Sequence, residues 1–130
     1  MKKVFVLLTV LLAMVFTVVY AADKEYKGYI SDVLCGTNGK DPAGNDLTKN
    51  PEKHTLACMK ADACAASGYG IFIKNEQGGY TFHKFDMKGS EMARKEVIDK
   101  TTKKDGIKIK VKGDLQADGT LMVKSIKSTK

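Results

Sequence analysis

Three cysteines and one histidine are the residues best suited to chemistry in this chain of 130 residues. They are Cys35, His54, Cys58 and Cys64, and the last three follow the spacing H-x3-C-x5-C. Thiolate and imidazole are natural donors for zinc, copper and other soft transition metals. The spacing matches no standard zinc finger, so the four residues define a candidate metal site without a recognised motif.

The same cysteines can instead form a disulfide. Residues 50–66 are predicted to be one helix, in which the six residues from Cys58 to Cys64 rise about 9 Å. Bridged Cα atoms lie roughly 4.4 to 6.8 Å apart, so any disulfide must use Cys35. We favour Cys35 with Cys64 over Cys35 with Cys58, and either bond would tie the helix and the long loop to the first strand. One cysteine then stays unpaired, His54 faces solvent, and no cofactor is needed.

Thiol redox chemistry is the third alternative. His54 lies one helical turn from Cys58 and could activate its thiol. However, the chain has no C-x-x-C motif, and no third group is positioned by the sequence to orient the histidine. A Ser-His-Asp set, a phosphate-binding glycine loop and a dinucleotide fingerprint are also absent. The sequence therefore predicts a protein that is not an enzyme.

The first 21 residues have the features of a secretory signal peptide. Lys2 and Lys3 precede an apolar run over residues 4–19, and small residues at Val19 and Ala21 favour cleavage after Ala21. Cleavage leaves one domain, residues 22–130, with no membrane span, and lowers the net charge from +7 to +5. We expect a periplasmic or secreted location, where an oxidising compartment permits disulfides.

Alternating apolar and polar residues predict five strands in the exported domain. The predicted strands are residues 24–33, 69–74, 80–86, 107–112 and 120–127. A polar stretch over residues 36–50 predicts a long surface loop. Asp41 and Asp46 are interpreted as solvated turn residues, because the loop lacks the glycine that a calcium-binding EF-hand requires.

Two helices complete the predicted order. The first, residues 50–66, has Asn50 as its N-cap, and its core-facing stripe is Leu56, Met59, Ala63 and Ala66. The second is capped by Gly89 or Ser90, buries Ala93 and Val97, and frays through residues 101–105. The fold class is therefore α+β and mostly β: a five-stranded OB-like Greek-key barrel with one helix inserted after strand 1 and another between strands 3 and 4.

The chain resembles a group of small exported bacterial proteins with an OB-like barrel. The resemblance rests on the segments GYISDVLCG, HTLACMKADACAASGYGIFI, KFDMKG and VKGDLQADGTLMVKSI, and covers nearly all of the exported domain. That group has no assigned activity, so the resemblance implies fold and export and transfers no catalytic residue. It does draw attention to Cys35, His54, Cys58 and Cys64 as recurring positions.

These observations favour an exported, non-enzymatic binding domain of the cell envelope, whose partner is an unspecified envelope ligand or protein. The alternative is a metal-binding or metal-sensing protein that uses the cysteine and histidine residues with zinc or copper. Aromatic residues beside Lys108, Lys110 and Lys112 also fit a single-stranded nucleic-acid surface. Export argues against nucleic acid as the partner, and lysines commonly protect strand edges. The sequence leaves the oligomeric state open.

Overall fold

A computed structural model describes residues 23–130, and the predicted signal peptide lies outside them. Five strands form one antiparallel sheet in the order β3-β2-β1-β4-β5. The strands are β1 (Lys24–Asp32), β2 (Tyr69–Lys74), β3 (Tyr80–Lys84), β4 (Lys108–Leu115) and β5 (Leu121–Ser128). No helix within residues 23–130 is long and apolar enough to span a membrane.

The alternating pattern located the strands correctly. Strand β2 has the predicted bounds, and in β4 the side chains of Ile109 and Val111 are buried while Lys108 and Lys112 are exposed. The predicted turn between β4 and β5 is also confirmed: Gly119 has φ 88°, and Asp118 accepts a hydrogen bond from the Thr120 amide at 2.9 Å. The predicted class, α+β and mostly β, is therefore correct.

The predicted closed barrel is not observed, because the sheet stays open between its edge strands β3 and β5. Strand β3 ends at Lys84, two residues earlier than predicted, and Asp86 immediately caps a helix by accepting from the Gly89 amide. The chain therefore turns into the helix before β3 can pair with β5 and close the barrel. Phe85, the residue after β3, forms one isolated parallel bridge with Leu121 of β5.

The first helix, α1 (Val33–Asn38), was not predicted, since its residues were assigned to the end of strand 1 and the start of the loop. Asp32 is its N-cap, and the Asp32 carboxylate accepts from the Cys35 amide at 3.0 Å. Gly39 ends the helix with φ 72°, a conformation that glycine adopts without steric cost. The following loop is not entirely on the surface, because Leu47 is fully buried.

The predicted continuous helix over residues 50–66 is wrong. The structure has a 3₁₀ turn at Pro51–Lys53, then α2 (Leu56–Lys60) and α3 (Asp62–Ala66). Asn50 makes no side-chain cap. The backbone is extended at His54 and Thr55, where the Leu56 amide donates to the Lys104 carbonyl at 2.8 Å instead of bonding within a helix. Of the predicted core stripe, Met59 is fully buried, Leu56 is half-buried, and Ala63 and Ala66 are exposed.

Helix α4 (Met87–Ala93) continues into a π-helical turn, Arg94–Ile98. Its N-cap is Asp86 and not Gly89 or Ser90. Ala93 and Val97 are fully buried, as predicted, and the helix ends at Ile98 without the expected frayed extension.

The interior has two hydrophobic clusters. The larger joins β1, β2, β4 and β5 to α4 and its π-helical turn, with Met59 of α2 packed among them. The smaller cluster lies under the long loop and consists of Cys35, Leu47, Cys64 and Phe72, packed against Tyr29, Cys58, Tyr80 and Phe82. All three cysteines therefore belong to one small cluster that the long loop covers.

Candidate metal centre

Three short helices bring the three cysteines together. Cys35 lies on α1, Cys58 on α2 and Cys64 on α3, and each Sγ atom is within 4.8 Å of the other two. Cys35 and Cys64 are buried, whereas Cys58 is partly exposed. The cluster is thus reachable from solvent through Cys58.

The break between α2 and α3 creates this arrangement. Ala61 has φ −57° and ψ 142°, which ends α2 and starts α3 in a new direction. Within an unbroken helix Cys58 and Cys64 would be too far apart to interact, but across the break their sulfur atoms approach. The predicted unbroken helix, on which the exclusion of a Cys58–Cys64 disulfide depended, is therefore wrong.

All three cysteines are free thiols in the structure, so the predicted disulfide between Cys35 and Cys64 is not formed. Burial raises the pKa of the Cys35 thiol strongly, and the negative charge of Asp32 and the neighbouring sulfur groups of Cys58 and Cys64 raise it further. Burial and the Asp32 charge likewise raise the pKa of Cys64. Without a cation to offset those charges, the two buried sulfur atoms remain protonated thiols at neutral pH.

His54 is buried, contrary to the expectation that it faces solvent. Its Nε2 lies 2.7 Å from Oδ1 of Asp32, and both side chains are at most 1% exposed. The extended backbone at His54 turns the ring inward, because the residue precedes α2 and is not part of it. Asp32, Cys35 and His54 each offer a donor atom within 4.8 Å of the other two. The structure therefore brings together all four predicted site residues around Cys35 and adds Asp32.

Asp32 serves both the helix and the site. Its Oδ2 accepts from the Cys35 amide at 3.0 Å, while its Oδ1 faces His54. Burial tends to raise the pKa of Asp32, but the hydrogen bonds from His54 and Cys35 outweigh it and leave that pKa below its usual value. The carboxylate is therefore ionised, so we assign the proton of the shared hydrogen bond to His54 Nε2.

Asp41 lies on the other side of the histidine ring. Its Oδ2 is 3.7 Å from His54 Nδ1, and its two oxygens accept from the backbone and side-chain nitrogens of Asn45 at 2.9 and 2.8 Å. Burial tends to raise the pKa of Asp41, but these hydrogen bonds and the nearby His54 hold it below the usual value. Asp41 is 9% exposed, so it is not the solvated turn residue that we predicted.

The second histidine of the chain and the aromatic residues lie outside this cluster or are part of the packed interior. His83, on β3, is half-buried, and its Nδ1 is 3.0 Å from the Gly119 carbonyl oxygen, so it belongs to the sheet surface. Among the aromatic residues considered for stacking on bases, Tyr69, Phe72 and Phe85 are buried. Tyr29 packs edge-on against Tyr80 and lies under the Lys108 ammonium, 5.4 Å from the ring centroid.

No family model, curated protein or solved structure matches the chain. The chemistry of the site therefore follows from its own geometry.

Sequence reasoning missed Asp32 and Asp41. Asp32 could have been found as an N-cap, since an aspartate stands three residues before Cys35, whereas no local pattern relates Asp41 to His54.

Proposed function

We propose that the protein binds a transition metal ion of the zinc and copper class through the thiolates of Cys35, Cys58 and Cys64. The observation that carries this proposal is the mutual approach of the three sulfur atoms to within 4.8 Å. With zinc to sulfur bonds of about 2.3 Å, three thiolates around one ion lie about 3.8 to 4.0 Å apart. The sulfur atoms therefore need to move by no more than about 1 Å.

The number of thiols favours a metal over a structural disulfide. A disulfide uses two cysteines and gains nothing from a third sulfur atom at the same distance. Here each cysteine contacts both of the others, and they come from three different helices. Three thiolates that converge on one point are suitable donors for a soft ion such as Cu(I), and for Zn²⁺, which usually takes four ligands, they leave one position for a further ligand.

The electrostatics of the cluster also support a cation. Burial and neighbouring negative charges raise the pKa of Cys35 and Cys64, so that negative charge is unfavourable in the metal-free site. A bound metal ion reverses this balance, because it deprotonates the thiols that coordinate it. Metal binding should therefore release protons and become tighter as the pH rises.

Export is part of the proposal and rests on the signal-like residues 1–21. In the cell envelope the protein would be a binding domain whose ligand is the metal ion. We also propose that the sheet is an opened OB-like barrel: pairing β3 with β5 would close the order β3-β2-β1-β4-β5, and the bridge between Phe85 and Leu121 lies at that seam. OB-folds are themselves partly open barrels.

The test is a titration of the reduced, metal-free domain, residues 22–130, with Co²⁺ under anaerobic conditions. Thiolate ligation gives a sulfur-to-cobalt charge-transfer absorption, which we expect in the wild type and in the control variant His83→Ala. Cys58→Ser should weaken this absorption and the Co²⁺ affinity at least about tenfold. Absence of the band in the wild type, or an unchanged affinity in Cys58→Ser, would overturn the proposal.

Thiol–disulfide exchange is a second candidate, favoured by the partial exposure of Cys58 beside two buried thiols. The Cys58 thiolate would attack a small disulfide, RSSR, forming a mixed disulfide and releasing one RSH. Cys35 or Cys64 would then attack the mixed disulfide, releasing the second RSH and leaving a disulfide within the cluster. The raised pKa of both buried thiols slows the second step. Cys58→Ser should abolish the exchange, and an unchanged rate would exclude this candidate.

A further inference from the structure

Two sets of potential ligands meet at Cys35. One is Cys35, Cys58 and Cys64, and the other is Asp32, Cys35 and His54, with the donor atoms of each set within 4.8 Å of one another. We propose that the cluster holds two metal ions, the second bound by Asp32 and His54, with the Cys35 thiolate bridging the two ions. This inference rests on the proposed function, because the bridging thiolate is a ligand of the first ion.

The second set has the donors of a borderline divalent ion such as zinc. It supplies one carboxylate oxygen, one imidazole nitrogen and one thiolate, all on buried side chains. Asp32 can offer Oδ1 without releasing α1, because Oδ2 alone accepts the Cys35 amide. The ion would replace the proton that now lies between Asp32 Oδ1 and His54 Nε2.

The unpartnered nitrogen of His54 supports this site. Within residues 23–130, Nδ1 is a buried polar atom with no hydrogen-bond partner, which is rare in folded proteins. Asp41 Oδ2 is 3.7 Å from it, just beyond hydrogen-bond distance. When an ion occupies Nε2, the ring proton moves to Nδ1 and can be donated to Asp41. A metal-bound histidine commonly donates its other nitrogen to a carboxylate in this way.

Charge balance favours two ions over one. Three thiolates and Asp32 carry four negative charges in the two sets, which two divalent ions neutralise. A single divalent ion would leave two uncompensated negative charges among mostly buried side chains, which is costly in a site shielded from water. Asp41 is an additional negative charge, but Asn45 and the His54 ring already face it.

The experiment counts bound Cd²⁺ per protein by elemental analysis after desalting, with Cd²⁺ as the probe ion and folding checked by circular dichroism. We expect about two ions in the wild type and in His83→Ala, about one in His54→Ala, about one in Cys58→Ser, and none in Cys35→Ser. Asp41→Asn should weaken binding of the second ion by about 10- to 100-fold and leave the first unchanged.

The possible results separate this inference from the proposed function. One ion in the wild type, lost in Cys58→Ser and retained in His54→Ala, would overturn the second site and leave the thiolate site intact. No ion in the wild type would overturn both. If folded His54→Ala binds none, the ligands form one site, which also contradicts the inference. If His54→Ala does not fold, the wild-type count and the Asp41→Asn affinity decide the question.

Discussion

His54 Nε2 and Asp32 Oδ1 form a buried 2.7 Å hydrogen bond between the loop after the long polar stretch and the last residue of β1. Replacing His54 with Ala would leave the ionised Asp32 carboxylate buried and without this partner. We expect the reduced, metal-free domain to lose about 3 to 5 kcal/mol of unfolding free energy, measured by urea denaturation. His83→Ala, at a half-buried histidine on β3, is the control and should cost about 1 kcal/mol or less. Equal losses in the two variants would show that the buried pair is not a major stabilising contact.

The three thiols should differ in reactivity. Cys58 is partly exposed, whereas Cys35 and Cys64 are buried and have raised pKa values. With limiting iodoacetamide at neutral pH, we expect Cys58 to be modified first, at least about tenfold faster than either buried thiol. Peptide mass spectrometry of the time course measures the order, and the fast phase should be missing in Cys58→Ser. Equal rates at the three positions would contradict the burial of the cluster.

Metal binding should stabilise the fold, because the three cysteines that we propose as ligands come from three helices that must be in place together. An ion present at 100 times its dissociation constant adds about 2.7 kcal/mol to the unfolding free energy if the unfolded chain does not bind it. Adding excess Zn²⁺ should therefore raise the urea midpoint, and a chelator should reverse the change. In Cys58→Ser the Zn²⁺-induced increase should be smaller. A midpoint that does not respond to Zn²⁺ in the wild type would count against the metal site.

Tyr69 makes stability fall at alkaline pH. Its hydroxyl donates to the Met59 carbonyl at 3.1 Å, and burial, with the nearby Asp32 charge, raises the pKa of the Tyr69 hydroxyl above its usual value. Below about pH 10 the neutral buried phenol makes its full contribution to the unfolding free energy. This contribution is lost as the pH rises through the pKa of Tyr69 in the folded state. Tyr69→Phe should lower the unfolding free energy by about 1 kcal/mol at pH 7. Above about pH 10, the unfolding free energy of this variant should fall less steeply with pH than that of the wild type. Parallel pH profiles for the two proteins would contradict this role, and Tyr26→Phe is the matched control.

Gly36 sits where α1 packs against β3. A Cβ atom at this position would overlap the ring of Phe82, which itself packs on Phe72 with ring centroids 5.1 Å apart. Gly36→Ala should therefore cost about 1 to 3 kcal/mol and, by displacing the neighbouring Cys35, weaken Co²⁺ binding. Thr37→Ala, at an exposed position of the same helix, should change neither property. Thermal unfolding and the cobalt titration measure both effects.

The strands could be predicted from the sequence because each depends on a local alternation and a recognisable turn. Lys108 to Val111 and the turn at Gly119 are examples, and both are confirmed. The open edge could not be predicted, since it depends on where β3 stops. That point is set by Asp86, whose Oδ1 accepts from both Gly89 in α4 and Val123 in β5, a contact between distant parts of the chain.

The site was found by residue type, but its geometry was not. Regular helical spacing predicted that His54 faces solvent and that Cys58 and Cys64 share one unbroken helix, and both predictions fail at backbone breaks. The break before α2 is held by the bond from the Leu56 amide to the Lys104 carbonyl, a partner 48 residues away. Helix propensity within residues 50–66 contains no information about such a partner.

Apart from Asp32, which is the last residue of β1, all the proposed ligands lie in the connection between β1 and β2, and so does Asp41. The two ends of that connection are neighbours, since Asp32 pairs with Tyr69 in the sheet and the Val33 amide donates to the Gly68 carbonyl at 2.9 Å. A short hairpin turn could span the same gap, so residues 33–68 behave as a cassette inserted into a β-hairpin. The same segment, preceded by an aspartate at the position of Asp32, could accordingly be grafted between two adjacent antiparallel strands of another scaffold without changing their register.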